Sequence, residues 1–288
     1  MANQLVWFIT GCSTGIGRDL TIEALNRGDK VIATTRSRSI QKLEDLRQRG
    51  ADVLELDVTA PLEELHKIAK TAVAFHGHID VLVNNAGFVS IGTLEESTPE
   101  ETSAQFNTNI FGALNVTRSI LPYMRARHTG TIMWLGSLAG WYPTPAVGLY
   151  AATKVINRLL GELLNQEISS FGLRSMVIEP GYFRTPVLSE GNYVPGGTRI
   201  ADYEPIVTRT LTDFRAVNGK QLGDPTKLAK IIVDVARGEG VASGKEIPPV
   251  LHIGSDTVQV VRNFCNETLQ RLDQWDEVFS STDFTTGT

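Results

Sequence analysis

The apolar run Leu5-Val6-Trp7-Phe8-Ile9 ends in Thr10-Gly11-Cys12-Ser13-Thr14-Gly15-Ile16-Gly17-Arg18, and a helical pattern carried by Leu20, Ala24 and Leu25 follows at once. This order predicts a strand, a tight turn and a helix. By itself a glycine-rich turn says only that unusual dihedrals are permitted. Between a strand and a helix it says more. Glycines leave the backbone open to a pyrophosphate, whose charge is stabilised by the free amides and dipole at a helix N-terminus.

The rest of the chain repeats the strand and helix alternation without an internal linker. Val31-Ile32-Ala33 reads as the second strand, Asp52-Val-Leu-Glu-Leu56 as the third, Ile79-Asp-Val-Leu-Val83 as the fourth, Thr131-Ile-Met-Trp-Leu135 as the fifth and Arg174-Ser-Met-Val-Ile178 as the sixth. Val250-Leu-His-Ile253 reads as the last. Short apolar runs between helices predict a parallel sheet covered on both faces. The clearest helix runs through Ile156, Leu159, Leu160, Leu163, Leu164 and Ile168. The expected fold class is therefore α/β, a Rossmann-type doubly wound parallel sheet of about seven strands. Its ligand should sit beyond the carboxyl ends of those strands.

At 288 residues the chain can bury one large core, and residues 1–288 are expected to form a single unit. The balance of 27 basic and 32 acidic groups gives −5 with no long basic run, so nothing points to nucleic acid. No apolar stretch approaches the roughly 20 residues of a membrane helix, and the first strand leaves no room for a signal peptide. A cytoplasmic protein with no membrane partner is the expectation. The two cysteines, Cys12 and Cys265, form neither a disulfide framework nor a metal site.

Chemistry is concentrated between residues 137 and 154. Tyr150 and Lys154 stand four apart, so a helix starting near Leu149 sets both side chains on one face. A free tyrosine has a pKa of about 10, and a nearby ammonium favours its phenolate and lowers that value. The pair thus suits general acid-base catalysis near neutral pH. An ordinary exposed helix pair would have the same spacing, and Ser137 could equally be a strand-end cap.

Together with Asn84-Asn85-Ala86-Gly87, Ser137, Asn109, Pro180-Gly181 and Thr185, the Gly-x-x-x-Gly-x-Gly turn and the Tyr150/Lys154 pair resemble the short-chain dehydrogenase/reductase family, in its compact single-domain branch. The motifs cover roughly residues 4 to 185 and the likeness continues more loosely to about 256. The resemblance implies an oxidoreductase in which Tyr150 gives a proton to a carbonyl oxygen as hydride arrives from a nicotinamide. It implies that Lys154 holds the ribose hydroxyls and depresses the Tyr150 pKa, that Ser137 binds the carbonyl oxygen, and that Asn109 holds a water for proton resupply. The implied cofactor site comprises Gly11, Ser13, Thr14, Gly15, Ile16 and Gly17 in the turn, then Asp57 and Val58, and Asn85, Ala86 and Gly87 beside the adenosine half. Asn109, Tyr150, Lys154, Pro180, Gly181, Phe183 and Thr185 complete it. Asp57 could also simply initiate a turn.

An acidic residue at the end of the second strand favours NAD, and a cation there favours the 2′-phosphate of NADP. This chain has Thr34-Thr35-Arg36-Ser37-Arg38, so NADP(H) is expected over NAD(H), with Arg36 as the phosphate partner. Thr14 departs from the second Lys or Arg of many NADP-dependent relatives, and Trp134 from the smaller or polar residue usual on its strand. Glycines and prolines between Thr185 and Asp224 predict a mobile substrate-covering segment at 186–222. Trp141, Tyr142, Tyr182, Phe183, Tyr193 and Tyr203 suit either a pocket for a bulky, apolar ketone or secondary alcohol, or plain packing. Residues 255–288 read as a helical tail. The resemblance also implies a homodimer or homotetramer through helices near 100–125 and 150–170. The alternative function is a non-catalytic NAD(P)-binding regulator or scaffold, since a fold does not fix an activity.

Overall fold

A computed structural model describes residues 4–189, 191–196 and 199–284. Residues 1–3 of the expected unit, 190, 197 and 198 of the covering segment and 285–288 of the tail lie outside the described residues. β1 (Val6–Ile9) leads to α1 (Gly15–Asn26), β2 (Lys30–Thr35), a short α2 (Glu44–Gln48), β3 (Asp52–Glu55), α3 (Leu62–His76) and β4 (Val81–Asn84). There follow β5 (Val89–Ile91), α4 (Pro99–Phe106), a π-helical turn (Asn107–Gly112), α5 (Ala113–Arg127), β6 (Gly130–Leu135) and α6 (Gly148–Ile168). The chain continues through β7 (Leu173–Pro180), β8 (Tyr193–Pro195), α7 (Glu204–Val217), α8 (Pro225–Arg237), β9 (Val250–Ile253) and α9 (Ser255–Phe279).

The seven long-range strands form one parallel sheet in the order β3-β2-β1-β4-β6-β7-β9. Strand order reverses between β1 and β4, the switch point where such sheets take their ligands. Alternation along β1 sends Trp7 and Ile9 to one face, where Leu20 of α1 and Leu228 and Ile232 of α8 cover them. Phe8 faces the opposite layer with Leu65 of α3 and Val116 and Ile120 of α5. Among the described residues no helix is long and apolar enough to cross a membrane.

All seven expected strands are present, with the fourth starting at Val81 rather than Ile79 and the sixth reaching Pro180. Among its described residues the segment expected at 186–222 carries regular structure, with β8 pairing in parallel to β5 and with the 14-residue α7. Val207 and Phe214 of α7 join Leu188, Tyr193, Val89 and Val147 in a small third core, against which Tyr150 packs. Glycines and prolines mark only its edges, and the 3.6-residue pattern of Val207, Leu211 and Phe214 decides its centre.

Candidate active site

The glycine turn is built from both sides of the switch point. Gly11 and Gly15 adopt φ of 76° and 62°, a region closed to most side chains. Asn85 Nδ2 donates to the carbonyls of Thr10 at 2.7 Å and Gly11 at 3.1 Å. A Cβ on Gly17 would stand 2.4 Å from that nitrogen and 2.8 Å from the Gly11 oxygen. Gly17 is thus required for close packing, while Asn85, expected to shape the floor beside the adenosine half, spends its side chain on the turn. Thr10, which the sequence reading passed over, accepts at Oγ1 from Asn85 N at 3.0 Å and Ala86 N at 2.9 Å.

The first turn of α1 fits a dinucleotide pyrophosphate. Thr14 occupies its N-cap without using its side chain, and no acidic residue lies in the first turn. The N–H groups at Gly15, Ile16 and Gly17 therefore keep their capacity for an anion. Ser13 lies half-buried before them. Thr185 closes the other side, its Cβ being 3.6 Å from where a Cβ on Gly15 would be. Cys12 is turned inward, donating to the Ile9 carbonyl, and burial pushes its thiol up to about 11.

Tyr150 and Lys154 lie in the first two turns of α6, and the Lys154 Nζ stands 5.4 Å from the Tyr150 ring centroid. Lys154 is buried and donates to the Leu135 carbonyl at 2.7 Å, leaving two N–H groups for a ligand. Burial drives its pKa down to about 8, opposed by the charge of Glu179. Tyr150 differs from its expectation. Burial raises its pKa above the usual tyrosine value, and a hydrogen bond with Ser137 offsets only part of that rise. Desolvation disfavours the phenolate more than its surroundings favour it in the protein alone. Ser137 also accepts from Ala139 N at 3.1 Å, so it serves as a cap as well as facing Tyr150.

Asn109 lies in the π-helical turn, a feature that often marks functional positions. Its Oδ1 accepts from Phe88 N, and its Nδ2 donates to Phe88 O and to Thr153 Oγ1, each at 3.1 Å. Gly87 packs against it, 3.1 Å separating Asn109 Oδ1 from a Cβ placed there. The side chain is therefore a strut between the strand-end loop and α6, and any water held by this residue would fall to its backbone.

At the far end of the cleft Arg36 and Arg38 are exposed beyond β2, and Thr35 is buried. Burial and Arg38 lower the Arg36 pKa, while Asp57 opposes them. Burial alone would raise Asp57, but its bonds from Thr59 and the charges of Arg36 and Arg38 hold it below the usual carboxylate value. Asp57 Oδ1 accepts from both Thr59 N at 2.9 Å and Thr59 Oγ1 at 2.7 Å, so Asp57 does initiate a turn. Val58 is buried against Gly112. Pro180 ends β7 and Gly181 meets Asp256, whose Oδ1 a Cβ there would approach to 1.9 Å. Phe183 turns into the core beside Gly223, so it faces the cleft with its backbone alone.

Most of the candidate pocket aromatics are committed elsewhere. Tyr193 packs edge-on to Phe214, the Tyr203 hydroxyl donates to Glu95, and the Trp141 indole donates to Glu179. Tyr142 and Tyr182 remain exposed, Tyr182 facing Tyr150 and Tyr142 facing Tyr182. Trp134 is accommodated in the core, its Nε1 donating to Ser175 Oγ at 3.1 Å.

Residues 5–193 match the family model described as short chain dehydrogenase. A protein of Botryotinia fuckeliana named oxidoreductase BOA17 is 30% identical over 276 residues, which span 95% of this chain and 97% of that one. A short-chain dehydrogenase of Streptomyces avermitilis superposes with a TM-score of 0.85 at 32% identity, covering 98% of this chain and all of the other. A family member of Burkholderia phymatum in complex with NAD gives a TM-score of 0.77 at 21% identity, with 93% and 96% of the two chains covered, a likeness of fold. A serine dehydrogenase complexed with NADP+ gives 0.68 at 25% identity, covering 86% of this chain and 93% of that one. The parallel sheet, the glycine turn at its switch point and the family match over residues 5–193 agree: the chain belongs to the short-chain dehydrogenase family of oxidoreductases.

Proposed function

We propose that this protein is an NADP(H)-dependent reductase of a ketone, or dehydrogenase of the corresponding secondary alcohol, with Tyr150 as the general acid and base. The observation that carries the reading is the convergence of three groups at the strand ends: the Tyr150 hydroxyl bonded with Ser137, and beside it a buried Lys154 ammonium with two unused N–H groups. A nicotinamide cofactor held in this cleft would supply or remove the hydride at the substrate carbon. Ser137 orients the substrate oxygen against Tyr150, which donates its proton as that oxygen gains charge. Lys154 would bind the ribose hydroxyls with the N–H groups that Leu135 leaves free, and its charge would stabilise the phenolate left behind. The presence of both Tyr150 and Lys154 favours catalysis over the scaffold alternative.

The cofactor preference rests on Arg36 and Arg38, exposed just after Thr35, a buried position where no acid competes. Homo-oligomerisation through α5 and α6 is part of the same reading, supported by Phe111, Leu159 and Leu163 exposed along these helices and the turn before them.

The test is a panel of ketones reduced with NADPH and with NADH by the wild type, Tyr150→Phe and Arg36→Ala. Tyr150→Phe should keep NADPH affinity while turnover falls at least about 10²- to 10⁴-fold, the usual contribution of a positioned acid. Arg36→Ala should weaken NADPH and spare NADH. Wild-type turnover from Tyr150→Phe, or tighter binding of NADH by the native protein, would refute the respective assignment.

A further inference from the structure

Glu179, next to last in β7, is fully buried, and no nucleotide or substrate role attaches to it above. A carboxylate removed from water is costly unless it is paired and hydrogen-bonded. Here Trp141 Nε1 donates to Oε2 at 2.5 Å and Arg158 Nη1 approaches Oε1 to 3.4 Å, while His252 Nδ1 lies 2.9 Å from Oε2 without the geometry of a hydrogen bond. The site has been cleared for it, since a Cβ on Gly136 would stand 2.7 Å from Glu179 Cγ. Register puts Leu135 opposite Ile178, so one peptide unit is met twice: by Glu179 at Gly136, and by the Lys154 ammonium at the Leu135 carbonyl. Arg158 follows Lys154 by one turn on the same face of α6.

We propose that Glu179 is a positioning residue for the proton-transfer site: its buried charge supports the Lys154 ammonium, and its bond to Trp141 fixes the segment that carries Ser137. The proposal rests on the reading of Tyr150 and Lys154 as the proton-transfer pair. Burial works against the Lys154 charge, and Glu179 is the group that opposes it. Trp141 is clamped in turn, with the Arg158 guanidinium 3.9 Å over its ring and the edges of His252 and Phe264 at 5.6 and 5.4 Å between centroids. Phe264 belongs to α9, so the C-terminal helix is tied to the substrate side of the cleft through this indole. The charged and titratable groups facing the cluster are Arg158 and Lys154 from α6, His252 from β9, and Tyr182 after β7, which faces Tyr150.

Removing a negative charge favours the deprotonated form of the neighbouring ammonium, so loss of the Glu179 charge lowers the Lys154 pKa. NADPH affinity by fluorescence titration, and ketone reduction in the same buffers, should both fall on the alkaline side in the wild type. Glu179→Gln should move that midpoint down by about half a pH unit or more. Glu179→Asp, which keeps the charge, should stay at the wild-type midpoint. Trp141→Phe should raise KM with the midpoint unmoved. If Arg158 left unpaired prevents Glu179→Gln from folding, Glu179→Gln combined with Arg158→Met should show the downward shift relative to Arg158→Met alone, a comparison in which only the Glu179 charge changes. An unmoved midpoint on loss of the Glu179 charge would overturn the proposal and leave Glu179 as a packing partner of Arg158 and Trp141. Failure of the underlying reading has a different signature, namely full turnover from Tyr150→Phe.

Discussion

Lys154 is held where stability and chemistry oppose each other. Its ammonium is buried with one carbonyl partner, and its pKa falls from 10.5 to about 8. A base whose folded pKa lies below its unfolded value binds fewer protons when folded, so it lowers stability at pH values under 8. That penalty is relieved as pH rises from about 8 toward 10.5. Lys154→Met keeps much of the side-chain volume without the charge. It should therefore be more stable than the wild type near pH 7, by up to an order of 3 kcal/mol, with the difference vanishing above pH 10.5. Urea unfolding at two pH values measures this, and a variant less stable than the wild type at neutral pH would contradict it. Cofactor affinity should drop in the same variant, the exchange of stability for function expected at an active site.

At the scale of elements, the seam between α6 and the β6–β7 pair decides how Trp134 is tolerated. Ser175 Oγ accepts from the Trp134 indole at 3.1 Å and donates to Gly161 O at 2.8 Å, so a hydroxyl and a missing side chain make room together. A Cβ on Gly161 would meet Val177 Cγ2 at 2.4 Å and Trp134 Cδ1 at 3.1 Å. Gly161→Ala gains helix propensity of up to about 1 kcal/mol, yet overpacking a filled core costs about 1–3 kcal/mol. The net expectation is a lower denaturation midpoint. Val177→Ala removes the clashing methyl, so the double variant should lose less than the two single changes summed, a non-additivity that a double-mutant cycle reads directly. Because α6 also carries Tyr150 and Lys154, Gly161→Ala should disturb turnover through their placement.

Across the whole molecule, distant segments are tied by buried polar groups as well as by the two apolar layers. Asp29 accepts from Leu5 N at 3.0 Å and from the Trp7 indole at 2.9 Å, and it pairs with Arg237 at the end of α8. These contacts join the start of β1 and the residue before β2 to the end of α8, so they hold the first strand and a late helix in one body. The exposed apolar side chains gather elsewhere, with Leu159 and Leu163 on the outer face of α6 at 55% and 44% exposure. Light scattering on a sizing column should give a dimer or tetramer for the wild type. Leu159→Lys with Leu163→Lys should shift it toward monomer, since charge on an apolar contact opposes association. A wild-type monomer would exclude this face as an interface.

How much of this the sequence determined follows from the range of the forces involved. The seven strands, the glycine turn, the tail helix and the shared face of Tyr150 and Lys154 were legible because alternation, helical spacing and turn chemistry act over a few residues. α7 was legible too, in Val207, Leu211 and Phe214, but nearby glycines and prolines outweighed that pattern. Only the tertiary structure decided that Asn85 braces the turn, that Gly17 is required by Asn85, that Trp134 is matched by Gly161 and Ser175, and that Glu179 lies beside Gly136. The direction of the Tyr150 shift belongs with these. Spacing places an ammonium near a phenol, whereas desolvation depends on every atom that crowds the hydroxyl, and those atoms come from segments far apart in the chain.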